Sequence, residues 1–196
     1  LVVAIRVATI FTTWRQGRDE LRKLLYSDLM PLDAFLEDLD RHPVGRVRGT
    51  AVFMTLSAAG TPPTLLHHVK HNHVLHEHVV LLTIRAADAP SVAELDRLRI
   101  EHLPGGFYRL VAWYGYMETP NVPKALKQGA CFGLPLEPTR TTFYLGRETL
   151  LINGAAPMRQ WRKAVFAFMS RNAANPAGYF GIPPNRVVEL GAQIRL

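Results

Sequence analysis

Cysteine is nearly absent from this 196-residue chain, which contains only Cys131. A single cysteine excludes an internal disulfide and is compatible with a reducing cytosol. Cys131 stands beside Phe132 without an evident catalytic partner, so we interpret it as a small buried hydrophobic residue rather than a nucleophile. The sequence also begins without Met and has no signal-peptide cleavage pattern, which indicates a fragment of a longer protein.

Motifs of nucleotide-dependent and zinc-dependent enzymes are missing as well. The sequence has no G-x-x-x-x-G-K-[ST] or G-x-G-x-x-G phosphate loop and no His-Glu-x-x-His zinc motif. Tyr114, Tyr116 and Glu118 could line a ligand pocket, but strand aromatics usually serve packing. Arg147 could bind an anion, although a turn contact with Glu148 or an external ion pair is the simpler interpretation. We therefore predict no enzymatic activity and no cofactor.

Long apolar runs are missing too, since a membrane-spanning helix needs about 20 apolar residues. Residues 1–13 are apolar but short, and Arg6 interrupts them. They are either a buried N-terminal helix or strand, or the cytosolic end of a membrane helix. Trp14 and the cations after it favour the second alternative, because aromatic residues mark the membrane interface and positive charge marks its cytoplasmic side. The cations are Arg15, Arg18, Arg22 and Lys23.

Positive charge is in excess, with 23 Lys+Arg against 16 Asp+Glu and a net charge of +7. Such an excess favours nucleic acid or an anionic membrane surface as partner. The basic residues form no long run, so a nucleic-acid-binding module is the weakest alternative and we predict no nucleic acid. We assign the four cations after Trp14 to an anionic membrane surface, where each is worth about 1 kcal/mol.

Histidine is concentrated in one segment, in which six histidines lie within twelve residues: His67, His68, His71, His73, His76 and His78. His67 and His71 are four residues apart and would share a helix face, where both could reach a metal ion. A third ligand would have to come from His76, His78 or Glu77. A soluble metal-dependent enzyme built on this segment is therefore an alternative, beside the simpler interpretation of partly exposed histidines.

The segment from residue 49 to residue 85 predicts a parallel βαβ unit. Residues 50–56 and 79–84 are apolar runs typical of strands. Between them, Thr61 is an N-cap candidate ahead of two prolines at the first helical positions, and leucines follow at helical spacing. Because a helix joins the two strands, they should lie parallel in one sheet.

Further helices and strands extend this unit to a mixed α/β sheet covered by helices. Before it we predict an acidic helix capped by Ser27 or Asp28, with Pro31 in its first turn, and a linker at residues 41–48. After it we predict a hairpin of strands 98–103 and 107–116, a helix from Asn121 that ends near Gly129 or Gly133, a strand at 141–146, an aromatic-striped helix after Pro157 and a last strand at 187–196. The core stripe of the helix after Pro157 would be Met158, Trp161, Val165, Phe168, Met169 and Asn172, with Phe166 beside it in the core.

Several blocks run through the chain in a characteristic order: GTAVFMT, PPTLLHHVKHN and VLHEHVVLLTI, then YGYMETP from Tyr114, FYLGRET from Phe143 and IPPNRVVELG from Ile182. This series resembles the C-terminal cytosolic domain of Kup-type potassium uptake permeases, the Kup/HAK/KT family. Trp14-Arg15-Gln16-Gly17-Arg18 is similar to the segment where these permeases leave their last membrane helix. The sequence departs from the family at Arg48, where Pro is usual, and at His68, His73 and His78.

The resemblance implies a regulatory or assembly domain of a proton-coupled potassium uptake transporter, on the cytoplasmic side of the cell membrane. Residues 1–13 would end the last transmembrane helix, residues 14–48 would form juxtamembrane helices and a linker, and residues 49–196 would form the cytosolic α/β domain. The implied partners are the transmembrane part, an anionic membrane surface and a second copy in a homodimer. Potassium ion and proton would bind outside this chain, and some family members are thought to respond to cyclic di-AMP.

Overall fold

The computed structural model describes residues 2–26, 29–57 and 60–196, and the chain forms two compact units. Unit 1 comprises Leu1–Leu29, Arg147–Ala174 and Gly191–Leu196. Unit 2 comprises Met30–Gly146 and Asn175–Leu190. Unit 1 thus combines the start of the chain with two segments from its last third.

The strands form one mixed sheet in the order β3-β4-β2-β1-β5-β6. β1 pairs in parallel with β2 and β5, β2 pairs in parallel with β4, and β3 runs antiparallel to β4. The predicted mixed α/β class, the parallel βαβ unit and the hairpin are therefore confirmed. The strands are β1 (Gly45–Thr55), β2 (Val74–Ala87), β3 (Leu98–Leu103), β4 (Phe107–Gly115), β5 (Thr141–Leu151) and β6 (Val187–Arg195).

The helices within the described ranges are α1 (Val2–Tyr26), α2 (Leu32–Arg41), α3 (Pro63–Asn72), α4 (Val122–Ala130), α5 (Gln160–Arg171) and the short α6 (Pro176–Tyr179). Three-residue 3₁₀ turns at Pro104–Gly106, Pro138–Arg140 and Pro184–Arg186 lead into β4, β5 and β6. Each of these turns has Pro at its first position, where the missing N–H has no partner to lose.

The central strands of unit 2 are buried on both faces. Val52 and Val80 contribute to a core cluster with α4, while Phe53 and Leu81 contribute to a second cluster with α2 and α3. Neighbouring residues of one strand point to opposite faces, so an apolar run without alternation supplies both clusters. This explains why residues 79–84 are uninterrupted by polar side chains other than Thr83.

Several predicted boundaries in unit 2 were wrong. Pro62 is the N-cap residue of α3, and the Thr61 side chain is buried with no hydrogen-bond partner among the described residues. Pro31 is the N-cap of α2 rather than part of its first turn, and the proposed caps Ser27 and Asp28 lie outside the described residues. The linker is also shorter than predicted, because β1 pairs with β2 from Gly45 onward.

The predicted core residues of the helix after Pro157 were only partly right: Met158 and Phe166 are buried in one core cluster, and Met169 packs against it. The buried residues of α5 are Lys163, Phe166 and Ala167, whereas Trp161 and Phe168 are 48% and 67% exposed. The helix carries apolar residues on two opposite faces, and the aromatic-rich face is the one that remains exposed.

Candidate functional site

α1 is one continuous helix with two different halves. From Val2 to Phe11 its apolar side chains are exposed, with Phe11 68% exposed. The hydroxyls of Thr9 and Thr12 donate to carbonyl oxygens one turn earlier, 2.8 Å away, which satisfies them without water. None of the helices in the described ranges combines the length and hydropathy needed to cross a membrane.

The second half of α1 is amphipathic. Thr13, Gly17 and Leu21 are buried at four-residue spacing, which defines one face. Arg15, Arg18 and Arg22 share the opposite face, since they are three and seven residues apart.

The four predicted cations differ in their contacts. Arg15 and Arg22 are exposed, and the Arg18 guanidinium lies 6.0 Å from the centre of the Trp14 ring. Lys23 donates to Glu20 at 2.8 Å, and this hydrogen bond raises the pKa of the ammonium group. The helix thus brings three arginines together on one solvent-facing surface, while Lys23 lies beside them in a local ion pair.

α5 packs against α1 just beyond its exposed apolar half. Arg162 donates to Gln16 Oε1 at 2.9 Å and to Thr12 Oγ1 at 3.4 Å. The Phe166 ring lies 5.5 Å from the Trp14 ring and directly against Gly17, where a Cβ atom would overlap it. The glycine of the Trp-Arg-x-Gly-Arg pattern therefore provides the space for α5.

A buried lysine, which sequence reasoning missed, closes unit 1. Lys163 is 2% exposed, and its ammonium group donates to the carbonyl oxygens of Gly154 at 2.7 Å and Leu196 at 3.0 Å. A buried charge needs such hydrogen bonds, because desolvation without them is costly. Lys163 thereby joins α5, the loop after β5 and the residue that follows β6.

The excess positive charge lies entirely in unit 1. Unit 1 contains 11 Lys and Arg against 4 Asp and Glu, a net charge of +7. Unit 2 contains 12 of each and is neutral. The positive charge therefore does not form the domain-wide basic surface that is expected of a nucleic-acid-binding module.

The histidine segment offers only part of a metal site. His67 and His71 share a helix face with ring centroids 6.0 Å apart, as predicted, and both are exposed. His73 ends α3 with a left-handed backbone at φ 52°, and His76 lies in β2. Among the described residues, no group of three His, Cys, Asp or Glu side chains could hold a metal ion.

His68 belongs to the core instead. It is 4% exposed, its ring centroid is 4.7 Å from that of Tyr144, and its Nδ1 atom is 2.9 Å from Asn72 Nδ2. Burial lowers the pKa of His68 and, together with the nearby His68 charge, that of His76. Burial likewise raises the pKa of the Tyr144 hydroxyl.

Tyr114 and Glu118 build a turn rather than a ligand pocket. The Tyr114 hydroxyl donates to the Asn121 carbonyl at 3.0 Å. Glu118 accepts from the Gly115 N–H at 2.8 Å and from Arg97 at 2.6 Å. These contacts, the backbone N–H first, lower the pKa of Glu118 to about 2. Tyr116 is exposed.

Two further residues differ from their predicted settings. Cys131 is exposed, which corrects the prediction of a buried residue. α4 buries Val122, Leu126 and Gly129 and ends at Ala130, so Cys131 follows on the solvent side. Arg147 lies within the continuous strand β5 and not in a turn.

A cleft of about 790 Å³ in unit 2 collects three arginines, Arg48, Arg140 and Arg186. Three threonines and Asn185 line it as well. The side chains of Arg48 and Arg186 have no hydrogen bond or ion pair to any described residue, while the Arg140 guanidinium is 3.7 Å from the Glu137 carboxylate. Guanidinium groups beside hydroxyls suit a phosphate-bearing anion. No local sequence signal marks this cleft, because its arginines come from three separate elements.

Comparison with known proteins agrees with the resemblance. Residues 48–196 match the family model for the K+ potassium transporter C-terminal domain. The chain is 51% identical over 196 residues to the probable potassium transport system protein Kup 2 of Syntrophobacter fumaroxidans, covering 100% of this chain and 31% of that protein. It is 49% identical over 201 residues to Kup of Anaeromyxobacter dehalogenans strain 2CP-C, covering 100% and 30%.

The chain is likewise 51% identical over 196 residues to Kup of Myxococcus xanthus, covering 100% of this chain and 30% of that protein. It thus spans less than a third of the length of these relatives. No solved structure matches it. On the family match and these identities, the chain belongs to the K+ potassium transporter C-terminal domain family.

Proposed function

We propose that the chain is the cytosolic regulatory or assembly part of a proton-coupled potassium uptake transporter. The family match and the relatives named as potassium transport proteins support this proposal. Potassium ion and proton bind in the transmembrane part, because such sites need buried carboxylates and broken membrane helices. No observation favours the alternative of a soluble metal-dependent enzyme.

The two halves of α1 carry this proposal. The exposed apolar side chains from Val2 to Phe11 cost free energy in water and suit the acyl region of a bilayer. From Thr13 onward the helix packs in unit 1, with Arg15, Arg18 and Arg22 directed away from the buried face. Residues 2–12 then form the cytosolic end of the last membrane helix, and the arginines face the anionic headgroups of the cytoplasmic leaflet.

Potassium uptake by the full-length transporter tests the proposal. In cells that lack other uptake systems, we expect a truncation after residue 48 to stay in the membrane fraction and to change the rate or regulation of uptake. A native protein of about 22 kDa that is released without detergent would contradict the proposal, since 22.0 kDa is the mass of this chain alone.

A charge-neutralising variant tests the basic surface separately. The quadruple change R15Q, R18Q, R22Q and K23Q should weaken binding of the chain to anionic vesicles, with a loss that shrinks at high salt. The matched control neutralises four exposed cations of unit 2, Lys70, Arg85, Arg99 and Lys127. Equal losses in both variants would show a net-charge effect and contradict a specific basic surface.

The arginine cleft favours a phosphate-bearing anion as the regulatory ligand. The guanidinium groups of Arg48 and Arg186 line the cleft without hydrogen-bond or ion-pair partners among the described residues. A bound phosphate would therefore relieve their mutual repulsion. Calorimetric titration of the chain with pyrophosphate, ATP and cyclic di-AMP should detect binding that falls at least about tenfold in R48A/R186A. Unchanged binding in that variant, or no binding of the three anions, would contradict this role; R85A/R99A is the control.

Dimerisation of the domain is a separate part of the proposal. Sedimentation of the chain over a range of concentrations should show a reversible dimer. A monomer at all concentrations would limit the domain to regulation.

A further inference from the structure

α5 has two apolar faces, and only one of them packs in the interior of unit 1. Phe166 and Ala167 face the interior of unit 1. Trp161, Val165 and Phe168 are spaced i, i+4 and i+7 and therefore form a stripe on roughly the opposite side. Trp161 and Phe168 are mostly exposed, and the stripe has no covering element among the described residues.

Cations surround this outward stripe. Arg159 precedes α5 and Arg171 ends it, and both side chains are exposed without a hydrogen bond or ion pair to any described residue. The Arg162 guanidinium lies 5.3 Å from the centre of the Trp161 ring. Residues 149–174 contain no Asp or Glu. An aromatic stripe flanked by arginines, in a segment without acidic residues, matches the composition of a helix that lies in a membrane interface.

The position of α5 along α1 agrees with an interfacial location. Arg162 contacts Thr12 and Gln16, and Phe11 ends the run of exposed apolar residues in the first half of α1. At a rise of about 1.5 Å per residue, these contacts lie within roughly 10 Å of Phe11 along the helix axis. The headgroup region on each side of a bilayer is of similar depth.

We propose that α5 lies on the anionic cytoplasmic surface of the membrane, with Trp161 and Phe168 inserted at the boundary between headgroups and acyl chains. Arg159 and Arg171 then contact lipid phosphates. The proposal rests on the proposed function, because that function places residues 2–12 of α1 in the bilayer. Charge decides between this occupant and a second copy of the chain: unit 1 carries +7, which repels another unit 1 and attracts an anionic leaflet.

Binding of the full chain to vesicles of phosphatidylcholine and phosphatidylglycerol tests the proposal. We expect W161S/F168S to bind at least about tenfold more weakly than the parent chain, because two aromatic side chains no longer enter the lipid. The control F132S/Y179S removes two exposed aromatics of unit 2 and should bind within about twofold of the parent. Since Trp161 and Phe168 are exposed, thermal unfolding of both variants should match the parent.

Quenching by bromine-labelled lipid gives a second readout. In W14F/W113F, where Trp161 is the remaining tryptophan, emission should be quenched on vesicle binding, whereas W14F/W161F, which keeps only Trp113 of unit 2, should bind without quenching. Parent-like binding of W161S/F168S together with unquenched Trp161 would overturn the proposal. A dimer that W161S/F168S dissociates, without vesicle binding, would overturn it in favour of a second copy.

The same experiment separates this proposal from the proposed function. If the quadruple variant at Arg15, Arg18, Arg22 and Lys23 loses vesicle binding and W161S/F168S does not, the α5 proposal fails and the basic surface of α1 stands. If only W161S/F168S loses vesicle binding, the α5 proposal stands and the proposed lipid contact of the α1 basic surface fails. Absence of parent binding overturns both membrane contacts, while the uptake and fractionation experiments still decide the transporter assignment.

Discussion

Unit 1 and unit 2 differ in net charge and in the size of their hydrophobic cores. Unit 2 is neutral and buries both faces of its central strands in two core clusters. Unit 1 carries the whole net charge and has a small core of Leu21, Met158, Phe166 and Leu196. Several of its large apolar side chains, such as Phe11 and Phe168, are exposed. The difference supports the proposal that unit 1 contacts another surface through α1 and α5.

The sharpest way to break unit 1 is to fill the space at Gly17. A leucine there would collide with the Phe166 ring, and we expect a loss of about 3 kcal/mol, since overpacking typically costs 1–3 kcal/mol and the core of unit 1 is small. Urea unfolding monitored by tryptophan fluorescence measures this loss of stability. The control Gly178→Ala meets no atom within 4 Å and should unfold at the same urea concentration. An unchanged midpoint for Gly17→Leu would contradict the packing of α5 on α1.

The second prediction concerns the buried ammonium group of Lys163. Lys163→Met keeps an apolar stem but leaves the carbonyls of Gly154 and Leu196 without their donor. We expect a loss of about 2 kcal/mol in the free energy of unfolding. Lys127→Met, at an exposed position of α4, should change it by less than about 0.5 kcal/mol. Equal effects of the two substitutions would argue against a structural role for the Lys163 hydrogen bonds.

Acid should destabilise unit 2 through His68. Burial lowers the folded-state pKa of His68 below its ordinary 6.5, so the unfolded chain binds the proton more readily. The stability is fully present above pH 6.5 and decreases as the pH falls through the folded-state pKa. One proton gives at most about 1.4 kcal/mol per pH unit. Chemical unfolding between pH 7.5 and 5 should show a shallower slope for His68→Gln, whereas His67→Gln should retain the parent slope; equal slopes for all three would exclude His68 as the cause.

The smallest effect is expected at the neutral surface of unit 2. Because Cys131 is exposed, Cys131→Ser should change the free energy of unfolding by less than about 0.5 kcal/mol. Iodoacetamide should label the native chain about as fast as the urea-unfolded chain. Labelling only after unfolding would restore the interpretation of a buried cysteine.

Local sequence patterns predicted the framework of unit 2 because strands and turns are marked locally. The apolar run at residues 79–84, the Gly105-Gly106 turn and the cap at Asn121 each carry their own signal. Which face of α5 is buried has no local signal, since both faces are apolar and the choice depends on the space at Gly17 in another part of the chain.

Contacts between distant residues account for the other misses. The sequence gives no reason to distinguish Lys163 from a surface lysine, because its two carbonyl partners become its neighbours only in the folded chain. Arg48 stands out in the sequence only as a departure from proline, whereas the structure places it in a cleft with Arg140 and Arg186. Of the predicted basic site, the structure brings Arg15, Arg18 and Arg22 together on one face of α1, and contact with lipid stays a prediction.

Amide hydrogen exchange of the full chain, with and without anionic vesicles, tests the contrast between the units most directly. The account predicts that vesicles slow exchange in α1 and α5 and leave β1, β2 and α4 unchanged, because unit 1 carries the net charge together with the exposed apolar faces of α1 and α5. Protection confined to unit 2, or equal protection of both units, would contradict it.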